Sequence, residues 1–246
     1  MQCRLFAAAF LSLGASFAAA TTVLLPATLD RLIASGDTGV TIGDKQFYDF
    51  SVLGQNTDPS LLQVVQAPGS LIGIEFRYNW TSTNGNNIDS LIRYKVHVTN
   101  PAATITGVGS HFDGAAVNNG ADLLVNATIT ETISDLKMNV LGEMTLFNGG
   151  PQFDGLHPPI NNNDSFFTLA SGARDLMIEK DITVHSAVGL PGVATISLVD
   201  QTFQQNLPPP PPAVPLPPAV WTALSTLGLG ALAPIRRRIS RLIQCR

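Results

Sequence analysis

Between Thr21 and Leu207 the chain contains no cysteine; its two cysteines, Cys3 and Cys245, stand near the ends. That absence excludes a disulfide, a thiol nucleophile and a Cys-ligated zinc or iron–sulfur centre from the central span, which must rely on its hydrophobic core. Basic residues are scarce there too. All 18 acidic residues fall in this span but only eight of the 14 Lys and Arg do, leaving it ten charges negative. Nucleic-acid phosphates demand a basic face, so the span is not built for nucleic acid. Neither a Gly-x-Ser-x-Gly elbow nor a glycine-rich phosphate loop occurs, and with them go the local signatures of serine hydrolases and P-loop enzymes. No solenoid or propeller period is present. Phe-Asp-Gly recurs at Phe112–Gly114 and Phe153–Gly155 in unlike surroundings, which reads as turn chemistry.

What the chain has in quantity lies first at its ends. Residues 1–20 read as a signal peptide: Arg4 gives the positive start, Leu5 to Ala19 the apolar run, and Ala18 and Ala20 the small residues that flank cleavage after Ala20. At the other end, residues 208–218 hold eight prolines in eleven positions. Such a tract favours a semi-rigid polyproline II spacer of about 3.1 Å per residue. Residues 219–235 form an uncharged apolar run of 17 residues, which as a helix spans roughly 26 Å, the short end for a bilayer crossing. Trp221 near its start suits a membrane interface, and the basic stop Arg236, Arg237 and Arg238 opens a tail, 236–246, expected on the cytoplasmic side.

The span 21–207 is long enough for one domain with a sizeable core and reads as β almost throughout. In Leu91–Thr99, Ile92, Tyr94, Val96 and Val98 alternate with Arg93, Lys95, His97 and Thr99, the period of a strand with one buried and one wet face. Further strands are expected at Lys45–Leu53, Leu61–Gln66, Leu71–Tyr78, Leu123–Thr132, Lys137–Phe147, Ser165–Leu169, Leu176–Val188 and Val193–Phe203. Turn residues such as Asn84-Gly85 and Asn148-Gly149-Gly150-Pro151 separate these runs. Leu29–Ser35 has room for one or two helical turns or serves as an extended leader. About nine strands at this spacing predict an all-β fold, an antiparallel β-sandwich of jelly-roll type, with a signal helix before it and a short transmembrane helix after it.

Val214-Pro215-Leu216-Pro217-Pro218, followed by the apolar run and the arginine cluster, resembles the PEP-CTERM group of bacterial sorting signals in its VPLPA variant, with Pro218 where Ala is usual. The resemblance implies an exported protein of a Gram-negative bacterium, processed by an exosortase-like membrane enzyme and left at the cell surface or in the exopolysaccharide matrix. Thr41-Ile42-Gly43-Asp44-Lys45-Gln46-Phe47 and Asp200-Gln201-Thr202-Phe203-Gln204-Gln205 also resemble the opening and closing strands of ectodomains that carry such signals. An ordinary single-pass anchor is the other reading of the tail.

Candidate chemistry in the span is sparse. His111 and Asp113, if extended, share one strand face, and with His157 and Asp154 they would furnish a two-His, two-carboxylate metal set. Asn84–Asn87 and Asn161–Asp164 offer oxygens of the kind Ca²⁺ takes, without EF-hand spacing. The metal set is the weaker expectation beside plain loop polarity. Trp80 beside Asn79 and a polar loop is either a core residue closing its strand or an exposed ring on which a sugar stacks. The expectation is therefore a non-enzymatic secreted sandwich with no catalytic residues, and the alternative is a carbohydrate-binding or adhesive module, with a secreted hydrolase behind both.

Overall fold

The computed structural model describes residues 22–118, 125–149, 161–186, 188–189 and 192–206. The segment read as a signal peptide, with Ala18 and Ala20, the proline tract with Val214 to Pro218, the apolar run and Arg236 to Arg238 lie outside the described residues, as do Asp154 and His157. Among the described residues no helix is long and apolar enough to cross a membrane.

Two six-stranded antiparallel sheets pack face to face. The first holds β1 (Ala27–Thr28), β4 (Gln63–Gln66), β5 (Ile72–Thr83), β12 (Gly192–Asn206), β7 (Thr104–Asn118) and β10 (Asp164–Ala173), in that spatial order. The second runs β2 (Val40–Ile42), β3 (Lys45–Gln55), β6 (Asn87–Val98), β11 (Asp175–His185), β8 (Asn126–Ser134) and β9 (Val140–Gly149). The all-β antiparallel sandwich is thus as expected. Leu29–Ser35 forms the short helix α1, which buries Leu29 and Leu32.

The alternation in β6 is realised residue by residue. Ile92, Tyr94, Val96 and Val98 are fully buried, while Arg93 pairs with Glu179, and Lys95 and His97 reach Asp49 and Asp175 at 2.7 and 2.6 Å. Phe47 and Phe50 of β3 are three apart, yet both face inward. A register shift between Tyr48 and Ser51, with Asp49 at φ 53°, inserts the extra residue that makes this possible. Phe47 then meets Phe203 of the other sheet at 5.8 Å between ring centres, and Phe76 meets Tyr94 at 5.7 Å. These aromatic contacts join the two inner faces.

Three differences from expectation have local causes. Lys137–Asn139 is a turn, in which the Asp135 carboxylate accepts the backbone N–H groups of Lys137 and Asn139, and β9 starts only at Val140. Short β1 and β2 carry too few residues to show a period. The 15-residue β7 passes without expectation, and Phe112–Gly114 lies within it rather than in a turn. This strand pairs along its length with β12 and, over its first half, with β10.

Candidate functional site

The outward face of β12, β7 and β10 carries a groove of about 500 Å³. Its lining follows from register. Asp200, His111 and Asp164 are directly paired neighbours across the three strands, and Thr202, Gly109 and Phe166 form the next row. Because side chains alternate, all of these stand on the same face. Their opposite-face neighbours Ser110, Phe112, Val199, Gln201 and Phe203 are buried in the core.

The glycines of β7 explain the groove's shape. A Cβ on Gly107 would stand 2.3 Å from Phe166 Cζ, and one on Gly109 would stand 2.7 Å from Thr202 Oγ1. The Phe166 ring therefore lies over backbone that has no side chains to lift it. One of its faces rests on the sheet and the residue remains 51% exposed. An aromatic held in this way is a preformed apolar platform, with polar groups at its side.

Those polar groups are electrostatically coupled. His111 Nδ1–H donates to Asp164 Oδ1 at 2.7 Å, and its Nε2–H faces Asp113 Oδ1 at 3.3 Å. With a carboxylate on each nitrogen, the doubly protonated imidazolium is the form that satisfies both. Burial alone pulls the His111 pKa down, but the hydrogen bonds and charges of Asp164, Asp200 and Asp113 outweigh it and the net shift is upward. Burial pushes the Asp200 carboxyl up, opposed by His111 and Lys180 and reinforced by Glu75.

A raised folded pKa adds stability that is complete below the ordinary histidine value of about 6.5 and is lost as pH rises through the folded midpoint. By proton NMR the His111 ring is accordingly expected to titrate above that value, and to fall back toward it in Asp164→Asn. A wild-type midpoint at or below the ordinary value would remove the carboxylate clamp from the description.

The pairing of His111 with Asp113 on one strand face is as expected. Among the described residues no group of three or more His, Cys, Asp or Glu side chains is arranged to hold a metal. The Asn-rich segments use their oxygens locally. Asn84 Oδ1 accepts the Gly189 N–H at 3.2 Å and Asn87 Oδ1 meets His185. Asn161 Oδ1 accepts the Gly149 N–H at 3.3 Å and Asp164 holds His111.

Of the two readings of Trp80 the core one holds and the sugar-stacking one is corrected: it is fully buried, with its indole N–H donated to Ser90 Oγ at 3.1 Å, so no ring face is open to a sugar. Sequence reasoning misses Phe166 altogether, reads Asp164 only as an oxygen donor of an Asn-rich segment, and gives Asp200 and Thr202 no part in a site. The one available signal was Gly107-Val108-Gly109 in extended chain, where glycine marks a close approach.

No protein-family model and no curated protein sequence matches the chain. Among solved structures it is similar to TmCBM61 in complex with β-1,4-galactotriose, at 12% identity and a TM-score of 0.28 over 63% of this chain and 88% of that one. It is also similar to the CBM36-1 domain of a multidomain xylanase from the hindgut metagenome of Trinervitermes trinervoides, at 15% identity and a TM-score of 0.24 over 62% and 95%. A third similarity is to the isomalto-dextranase of Arthrobacter globiformis T6 complexed with panose, at 13% identity and a TM-score of 0.24, covering 67% of this chain and 24% of that enzyme.

Proposed function

We propose that this chain is an exported, non-enzymatic glycan-binding module, delivered by its signal peptide and a PEP-CTERM-like tail to the cell surface or exopolysaccharide matrix. The observation that carries the binding half is the Phe166 platform beside His111, Asp164, Asp200 and Thr202. A sugar ring has an apolar face that stacks on an aromatic and a rim of hydroxyls that need donors and acceptors at its edge. The platform supplies the first and the row beside it supplies the second. Asp113, Asp164 and Asp200 make this face acidic, so neutral polysaccharides are favoured over uronic-acid polymers by like-charge repulsion.

Affinity electrophoresis of the full chain through gels containing neutral or acidic polysaccharides tests the reading. Retardation is expected with a neutral polymer. Phe166→Ala is expected to weaken it roughly 30-fold, the effect of a 2 kcal/mol hot spot. Leu53→Ser, an exposed position on the second sheet, is expected to leave binding unchanged. Free migration in every polymer, or binding indifferent to Phe166, would sink the assignment. The sorting half has its own readout: mass spectrometry of the protein from its native host is expected to find the chain ended near Leu216, and an intact Arg246 would leave a plain anchor.

A further inference from the structure

Lys45 is fully buried at the start of β3, one alternate position before Phe47. Gln205 faces it from the end of β12, one alternate position after Phe203, and the Lys45 ammonium donates to Gln205 Oε1. The same carboxylate touches both. Asp44 Oδ1 accepts from Lys45 Nζ at 3.1 Å and Asp44 Oδ2 accepts from Gln205 Nε2 at 3.0 Å. Asp44 is itself fixed, because its carbonyl takes the backbone N–H of Thr99 at 2.8 Å and the Thr99 hydroxyl at 3.1 Å. The other fully buried lysine, Lys180, is built differently: its hydrogen-bond partners are the Glu131 carboxylate and the Ser110 hydroxyl, not a carboxamide.

An amine, a primary carboxamide and a carboxylate bridging the two are the components of an acyl transfer: nucleophile, electrophile and proton carrier. We propose that Lys45 and Gln205 become joined by an intramolecular isopeptide bond, with Asp44 moving the proton. The Lys45 ammonium passes one proton to Asp44, and the freed Nζ lone pair forms a bond to Gln205 Cδ. Asp44 returns that proton to Nε2, the Cδ–Nε2 bond breaks, and ammonia leaves with the remaining surplus proton of Nζ as ammonium. One amide replaces another, so no oxidant, reductant or co-reactant is required.

The bond would tie the first long strand of one sheet to the last strand of the other, across 160 positions of sequence. Closing so long a loop covalently restricts the unfolded chain in the way a disulfide does, in a span that has no cysteine to form one. It would also place the tie just before Leu207, after which the proline tract begins. Any pull on the tail would therefore reach the cross-link before it reached the core.

The test is peptide mapping by mass spectrometry of the folded full-length chain, with Asp44→Asn and Lys45→Arg beside it. A mass deficit of one ammonia is expected but does not decide the matter, since Asn84-Gly85, Asn119-Gly120 and Asn148-Gly149 lose ammonia on succinimide formation. The decisive product is a tryptic species in which Leu32–Arg77, uncut at Lys45, is joined to the peptide beginning at Asp181. It is expected in the wild type and absent from both variants, whose folding is checked by circular dichroism. Two results overturn the proposal: a folded wild type cleaved at Lys45 with Gln205 in a separate peptide, or a linked species that persists in Lys45→Arg. The linked species forming undiminished in Asp44→Asn overturns the role of Asp44.

Discussion

Glu131→Ala is expected to lower the unfolding free energy by about 3–5 kcal/mol, and Lys180→Ala by a similar amount. Neither side chain of this pair reaches solvent, and Lys180 Nζ stands 2.5 Å from Glu131 Oε2 and 2.8 Å from Ser110 Oγ. Removing one partner leaves the other charged and unpaired between the sheets, whereas removing both leaves only a packing change. The double variant Glu131→Leu/Lys180→Met is accordingly expected to be within about 1 kcal/mol of wild type or more stable. The surroundings are already demanding. Burial first, with Glu131 and Asp200 behind it, holds the Tyr94 hydroxyl well above the usual phenol range. Tyr94 Oη, Glu131 Oε1 and Gln201 Oε1 have no hydrogen-bond partner among the described groups. Urea denaturation of the four proteins checks the pattern. Single losses below about 1 kcal/mol, or a double variant as unstable as the sum of the singles, would contradict it.

The strands that were legible in sequence are those whose two faces differ. In β6 every inward residue from Ile92 to Val98 is apolar and its outward neighbours are Arg93, Lys95 and His97, so the period is visible at once. In β7 the inward set includes Ser110, which is the partner of Lys180, and the outward set includes Gly107 and Gly109. Both faces depart from the usual chemistry, and the period vanishes. That strand is the floor of the groove, so the site beyond the His111–Asp113 pair was hidden along with it. The site is also assembled laterally: residues 111, 164 and 200 meet because β7 lies between β10 and β12, an order that no local pattern specifies. The His111–Asp113 pair was legible because its i, i+2 spacing is local. Trp80 failed as a site for a related reason. Its neighbours Asn79 and Thr81 are outward residues of β5, and their polarity says nothing about the face on which Trp80 stands.

Trp80→Ala is therefore expected to cost about 3–5 kcal/mol of stability, the usual penalty for emptying a large aromatic site in a packed core. The indole is fully buried, lies 5.2 Å from the Tyr78 ring between centres, and gives its N–H to a Ser90 hydroxyl that also meets Thr57. Trp80→Phe keeps most of the apolar volume and loses that hydrogen bond, so a loss of about 1–3 kcal/mol is expected for it. Two tryptophans exist, Trp80 and Trp221, and a Trp221→Phe background isolates the first. In that background the emission is expected to resist iodide quenching and to stay fixed when a bound neutral polysaccharide is added. Stability and binding should then separate cleanly. Trp80→Phe lowers the melting point and leaves polysaccharide affinity intact, while Phe166→Ala weakens affinity and leaves the melting point within about 2 °C, since it removes a half-exposed ring from an edge strand. An emission change on glycan addition, or affinity lost with Trp80→Phe and kept with Phe166→Ala, would move the binding surface back to β5 and away from the glycine-floored groove.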